Sequence, residues 1–223
     1  MAKVEHINYS KANSDRYTDT ATGLPIAPKA LAKVLGRPDQ AKWDEVIVKE
    51  MKGLDDMGIF EHNLTRKQLD ERGITPAKTI VGMRMLLDVK LKPDGSFDKM
   101  KARNVIQGHK GYVQQGVHYS AVFAAAPSIP ASRVIQAIGV LMGYHRWTQD
   151  MCQAYLHGEV TAEEALPVRY PKGLERFGYG GTNEQGEELF GLLVGNLYGN
   201  PPAGRYWARR RDKWIKSYPG WKC

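Results

Sequence analysis

The run Lys92-Pro-Asp-Gly95 constrains this chain most, because it sits between two stretches of strand-like composition. Proline presets the backbone for the second position of a tight turn, and glycine accepts the positive φ that such turns require. Thr79 to Lys92 and Ser96 to Gln107 are therefore expected to pair as an antiparallel hairpin. On its second strand Lys99, Lys101 and Arg103 fall at every other position, so all three project from one face. Lys90 and Lys92 sit likewise on the first strand. Such a face is either an ordinary solvated surface or a receiver of phosphates, with Lys as a point charge and Arg as a bidentate fork.

Around the hairpin the chain reads as a mixture. Residues 1 to about 38 are polar with little periodicity, which suggests a mobile arm or linker. From Asp39 to Met57 the residues Trp43, Val46, Ile47, Met51 and Leu54 recur at helical spacing, and Gly58 ends the run. Ser128 is placed to cap a helix that opens at Pro130 and runs to about Met142, with Val134, Ile135, Ile138 and Leu141 as its expected buried stripe. Tyr144 to Met151 alternates like a strand with Asp150 at its end. Lys172 to Glu188, rich in Gly and Glu, reads as a long surface loop; Glu188 to Tyr198 reads as a strand and Arg205 to Ile215 as a basic helix. Strands and helices mix without a βαβ alternation, so the expected class is α+β.

The 223 residues suffice for one large domain or two small lobes with an apolar core. Lys and Arg number 32 against 24 Asp and Glu, a net charge of +8 that favours polyanionic partners. Cys152 and Cys223 give neither a disulfide framework nor a metal-ligand spacing. There is no apolar run of membrane-spanning length, and the charged opening Met1 to His6 is unlike a signal peptide. The expectation is an intracellular protein without a membrane partner; cytoplasm and nucleus are not distinguished.

Gln149 to Gly158 carries the densest chemistry. Asp150 admits three readings: a helix cap, a buried ion-pair partner or a metal ligand. Magnesium needs only one or two carboxylates when substrate phosphates complete its shell. Tyr155, five residues on, is either core or a ring that packs on a sugar. Asp55-Asp56 reads as the solvated end of an amphipathic helix, and Gly178-Tyr-Gly-Gly181 lacks the Lys-Ser/Thr ending of a phosphate loop.

Taken in order, the pieces resemble the copia-type retrotransposon reverse transcriptases. They are Trp43 with Gly58-Ile-Phe-Glu61; Lys92 to Gly95; Lys101-Ala-Arg103 with Gln107-Gly108; Gly116-Val-His-Tyr119 with Phe123; Arg133; Asp150 to Gly158; Tyr170-Pro-Lys-Gly173; and Leu197-Tyr-Gly199 with Ala203, Arg205 and Trp207. The set covers roughly residues 38 to 215.

The resemblance implies a right-hand polymerase, of which this chain supplies the fingers and the first part of the palm. The expected layout is an arm over 1–38, fingers with the basic hairpin over 39–125, a palm segment over 126–160, a fingers return and surface loop over 161–205, and the start of a palm helix over 206–223. The resemblance makes Asp150 a catalytic carboxylate and magnesium ligand, and Tyr155 the steric gate against a ribose 2′-hydroxyl. Lys101 and Arg103 become grips on the incoming triphosphate. Lys99, Arg205 and Arg209 are expected on nucleic acid. The implied cofactor is Mg2+ in a two-ion site of a completed domain. The implied partners are an RNA/DNA primer-template, deoxynucleotides and the remainder of a polyprotein.

Two departures stand out. Asn200-Pro201-Pro202 replaces a segment with a pocket-lining glutamine, and no aromatic-x-Asp-Asp motif follows Asp150. The expectation is a fragment inactive alone; the alternatives are a non-catalytic nucleic-acid-binding remnant or a degenerate element product.

Overall fold

Helix α1, Gln40–Asp56, is where apolar periodicity first becomes packing. Trp43, Ile47, Met51 and Leu54 form one buried stripe, with Val46 half-buried beside them. Gly58 takes φ +63°, and the Ile59 N–H donates back to the Leu54 carbonyl at 3.1 Å, closing the last turn. The computed structural model describes residues 17–74, 79–109, 113–124, 126–145, 150–217 and 219.

Five strands make one curled sheet: β1 Phe60–Leu64, β2 Val81–Leu91, β3 Phe97–Ile106, β4 Leu166–Arg169 and β5 Phe190–Leu193. Their order is β1-β5-β4-β2-β3, antiparallel except for β2 beside β4. The class is α+β, as expected. β2 and β3 are the anticipated hairpin, trimmed by a residue or two at most ends. Its turn closes through Gly95 N–H to the Lys92 carbonyl, with Asp94 accepting from the Ser96 N–H at 2.9 Å and hydroxyl at 2.7 Å. Strand β1, strand β4 and the short helix α2, Arg66–Glu71, were not anticipated. The last has a legible signal: Thr65 and Gln68 form a reciprocal capping box.

Alternation along β3 decides what faces what. Met100, Ala102, Asn104 and Ile106 are buried under α1, so Lys99, Lys101 and Arg103 point outward together. β3 is also an edge strand, and two outward N–H groups at its far end are occupied. Asn104 N–H donates to Glu50 on α1 at 3.0 Å, and Ile106 N–H donates to the Tyr198 carbonyl at 2.8 Å. That end of the edge is thereby closed to a further strand.

Two segments are better anchored than their polarity suggests. Within the expected arm, residues 1–16 lie outside the described residues, but 17–38 dock on the body. Leu31 and Val34 enter the core, and Arg37 is buried with a two-pronged pairing to Asp39 at 2.7 and 2.9 Å. Trp43 donates its indole N–H to the same Asp39 at 2.9 Å. Arg37 also lies over the Tyr17 ring at 4.5 Å. Burial alone would raise the Asp39 pKa, but the hydrogen bonds from Arg37 and Trp43 outweigh it and hold the carboxyl below its ordinary value.

The expected loop 172–188 is pinned in a similar way. Leu174 is buried, Tyr179 donates to Asp55 at 2.6 Å, and Asn63 bonds the Gly178 carbonyl and the Gly180 N–H, both at 2.8 Å. Asp55 is therefore an anchor rather than part of a freely solvated pair. His62 bridges it to Tyr170, at 2.8 Å from Asp55 and 2.5 Å from the phenol oxygen. Burial and the bond to Asp55 push the Tyr179 phenol up to about 12.

Helix α3, Ile129–Leu141, begins as its sequence directs: the Ser128 hydroxyl accepts from the Ala131 N–H at 3.3 Å and proline follows at the first turn. Its packing corrects the expectation. None of its residues is buried, and Val134, Ile135, Ile138 and Leu141 are exposed, because no described element covers that side. The strand expected over 144–151 is absent at Tyr144, His145, Asp150 and Met151, and residues 146–149 lie outside the described residues. Helix α4, Ala203–Ser217, covers the anticipated basic segment and packs on the short 3-10 turn Ala154–His157.

Candidate nucleic-acid interface

On the outward face of the hairpin, β2 contributes Arg84, Leu86, Asp88 and Lys90 opposite Val105, Arg103, Lys101 and Lys99 of β3. One carboxylate interrupts the cations: Asp88 faces Lys101 across the ladder and binds Lys90 at 2.7 Å. The bond to Lys90 holds Asp88 below its ordinary pKa. Among the described residues Lys99 pairs only with its neighbour Asp98, at 3.9 Å. Lys101 and Arg103 have no ion pair within 4 Å among the described residues, though both act on Glu50 at longer range.

Three distant parts of the chain meet at Arg103. Its guanidinium lies 5.0 Å from the centre of the Tyr198 ring, and Tyr198 meets Tyr155 edge-on at 6.4 Å. Lys101, Arg103 and Tyr155, grouped on sequence grounds, thus share one neighbourhood, with Tyr198 as the link. Tyr155 is half open to solvent. Its backbone carbonyl is fixed by the buried Asn196 amide at 2.6 Å, and the same amide reaches Ala203 at 3.1 Å. Gly199 explains how Tyr198 comes so close. It takes φ +81°, and a methyl group there would collide with the carbonyl of Ile106.

Glu50 completes the neighbourhood and was not anticipated. Burial raises its pKa, partly offset by the Asn104 N–H and by the charges of Arg103 and Lys101. Burial also raises Tyr198, against Arg103 and with Glu50. Sequence spacing carried no signal for Glu50, because its role follows from α1 lying along the edge of β3.

Asp150 lies elsewhere. It is exposed and lines a groove of about 660 Å³ with Met151, Ala154, His157, Trp207, Arg210, Arg211 and Trp214. The 3-10 turn separates the two regions: Ala154 and His157 face the groove, Leu156 is buried, and Tyr155 meets Tyr198. Neither Lys101, Arg103 nor Tyr155 lines the groove. Among the described residues Asp150 is its only carboxylate, two arginines share it, and no group of three or more His, Cys, Asp or Glu fit to hold a metal occurs. One carboxylate beside two guanidiniums does not fit a pair of magnesium ions.

The expected nucleic-acid contacts on α4 divide. Arg209 is committed to Glu164 at 2.9 and 3.1 Å and lies over the Tyr206 ring at 4.9 Å. Arg205 is half-buried at the start of the helix, and Lys99 is exposed on the hairpin. Arg210 and Lys213 both reach Glu159, at 2.8 and 3.3 Å. Much of the helix's positive charge is thus spent inside the molecule.

Comparison with protein-family models, with curated proteins and with solved structures finds no match to this chain. No helix among the described residues is long and apolar enough to cross a membrane.

Proposed function

We propose that this chain binds the phosphates of nucleic acid and of deoxynucleotides on the outer face of the β2–β3 hairpin, as part of the fingers and first palm segment of a copia-type reverse transcriptase. The observation that carries the reading is the convergence of Arg103, Tyr198 and Tyr155 beside Lys101, from segments far apart in sequence. Lys101 supplies a mobile positive charge, Arg103 a planar fork for phosphate oxygens, and the tyrosine pair a surface on which a base or sugar can rest. RNA/DNA primer-templates and deoxynucleotides are the partners that use all three.

Asp150 would serve such a protein as one magnesium ligand, with further carboxylates coming from the remainder of a polyprotein. With a single acid in its groove, the chain binds without extending. Losing an electrostatic anchor of this kind costs roughly a hundredfold or more in rate. Gel-shift titration of a primer-template over a salt series, followed by magnesium-dependent primer extension, tests both halves. A steep salt dependence without extension is the expected result. Salt-independent or absent binding overturns the interface, and extension by the isolated chain overturns the statement that it cannot extend.

A further inference from the structure

We propose that Tyr198 is a positioning residue for phosphate: its ring holds the Arg103 guanidinium in place, with the N–H fork left open to two oxygens of one phosphate group. That role rests on the hairpin face receiving phosphate, as proposed above.

Five arginines lie over aromatic rings among the described residues, and four of them also grip a carboxylate. Arg37 lies over Tyr17 and binds Asp39, and Arg169 lies over Phe190 and binds Glu188. Arg176 lies over Phe177 and binds Asp44, and Arg209 lies over Tyr206 and binds Glu164. Each of the four reaches both oxygens of its carboxylate, at distances between 2.5 and 3.1 Å. Arg103 is the fifth. It lies 5.0 Å from the centre of the Tyr198 ring and has no ion pair among the described residues. A ring takes one flat face of a guanidinium and leaves its in-plane N–H donors, which match the paired oxygens of a carboxylate or a phosphate. The unit that elsewhere in this chain is closed by an acid of its own is therefore open to solvent on the hairpin. Lys99, Lys101 and Arg103 stand in one row about 7 Å apart, a spacing that suits a strand of repeated anions better than a single acid.

Little else restrains Arg103. Its partner across the ladder is Leu86, and Lys101, next along the same face, repels it. Glu50 is engaged by the Asn104 N–H and acts on Arg103 only at longer range. Tyr198, by contrast, is well fixed. Its carbonyl accepts the Ile106 N–H at 2.8 Å, and its ring meets Tyr155 edge-on. Two glycines let these segments touch: a methyl group on Gly108 would strike the Gly199 carbonyl, and one on Gly199 would strike the Ile106 carbonyl. The Tyr198 hydroxyl has no hydrogen-bond partner among the described residues, so the ring is the part in use.

Primer-template affinity over a salt series, measured on variants of the full chain, tests the role. Tyr198→Leu is expected to weaken binding about tenfold and to lower the slope of log affinity against log salt by about one, as Arg103→Ala does. Tyr198→Phe should bind as the wild type does. Tyr198→Leu combined with Arg103→Ala should bind no more weakly than Arg103→Ala alone. The role is overturned if Tyr198→Leu only lowers the melting temperature and leaves the salt slope unchanged, or if the two losses multiply in the double variant. Should Tyr198→Leu fail to fold, the Arg103 Nε–H resonance of the wild-type chain decides. It should be ordered and displaced by the ring before ligand is added, and should move further when primer-template binds; a mobile Arg103 in the unliganded chain overturns the role. A wild-type chain that binds no primer-template removes the proposed function, and the same resonance is then titrated with inorganic phosphate. Movement in the wild type and not in Tyr198→Leu keeps the positioning role, and no movement in the wild type overturns that too. A resonance that answers to poly-glutamate but to neither primer-template nor phosphate assigns the fork to an acidic protein partner instead.

Discussion

The sheet body and the α3–Asp150 region are built from similarly apolar sequence, yet only the first buries it. In the body, Trp43, Ile47, Met51 and Leu54 of α1 meet Met100, Ala102 and Ile106 of β3, and even polar stretches such as 17–38 and 172–188 are tied down. In α3 an equally regular helix, correctly capped, buries none of its residues among the described part of the chain. The contrast shows that amphipathic or apolar periodicity specifies an element but not its partner. It also divides the functional residues. The cationic hairpin face is held by the main core, whereas Asp150 is exposed on the wall of a groove outside it.

The largest separation between the two regions should come from truncating their apolar residues. Trp43→Ala is expected to cost about 3–5 kcal/mol, enough to unfold most of the chain in a urea titration. Leu141→Ala should shift the same midpoint by less than about 0.5 kcal/mol. Comparable costs at the two positions would erase the distinction.

Next is the anchor beneath the body. Asp39→Asn removes the charged partner of buried Arg37 and is expected to cost about 1–3 kcal/mol. Because the folded-state pKa of Asp39 is lowered, its contribution is fully present above the ordinary aspartate value and is lost as pH falls through the lowered one. Wild-type and variant stabilities should therefore converge in acid. A difference that is constant with pH would assign the effect to packing.

On the hairpin face, Arg103→Ala should weaken primer-template binding roughly tenfold and reduce the slope of log affinity against log salt by about one. Arg209→Ala, by contrast, should mainly lower stability, since Arg209 is held by Glu164. Equal loss of binding from both would return α4 to the interface.

The smallest expected effect is at Glu50. Its folded-state pKa is raised, so its stabilising contribution is complete below the ordinary glutamate value and is lost as pH rises through the raised one. Glu50→Gln should leave stability at neutral pH unchanged or slightly higher, and tighten primer-template binding a few-fold by removing a negative charge near Lys101 and Arg103. Weaker binding would mean that Glu50 positions these cations rather than competing for them.

What could be read in advance was local. The Pro93-Asp94-Gly95 reversal, the α1 stripe, its Gly58 stop and the Ser128 cap are each decided within a few residues, where backbone sterics and periodicity act directly. The outward placement of Lys99, Lys101 and Arg103 follows from the same two-residue alternation. Glu50 and Tyr198 were not legible beside them, because each reaches the hairpin only through the way α1 and the segment after β5 lie against β3. Nor was the tethering of 172–188, which depends on Asp55 and Asn63 from another part of the chain.

By itself, then, the sequence determined the hairpin, the capped helices, the α+β class and the sign of the exposed charge, all of them short-range consequences of side-chain geometry. Only the tertiary structure decided which apolar stripes find a partner. It also brought Arg103, Tyr198 and Tyr155 together and set Asp150 apart from them. These outcomes rest on contacts between distant segments, whose burial is shared among surfaces that no local pattern identifies.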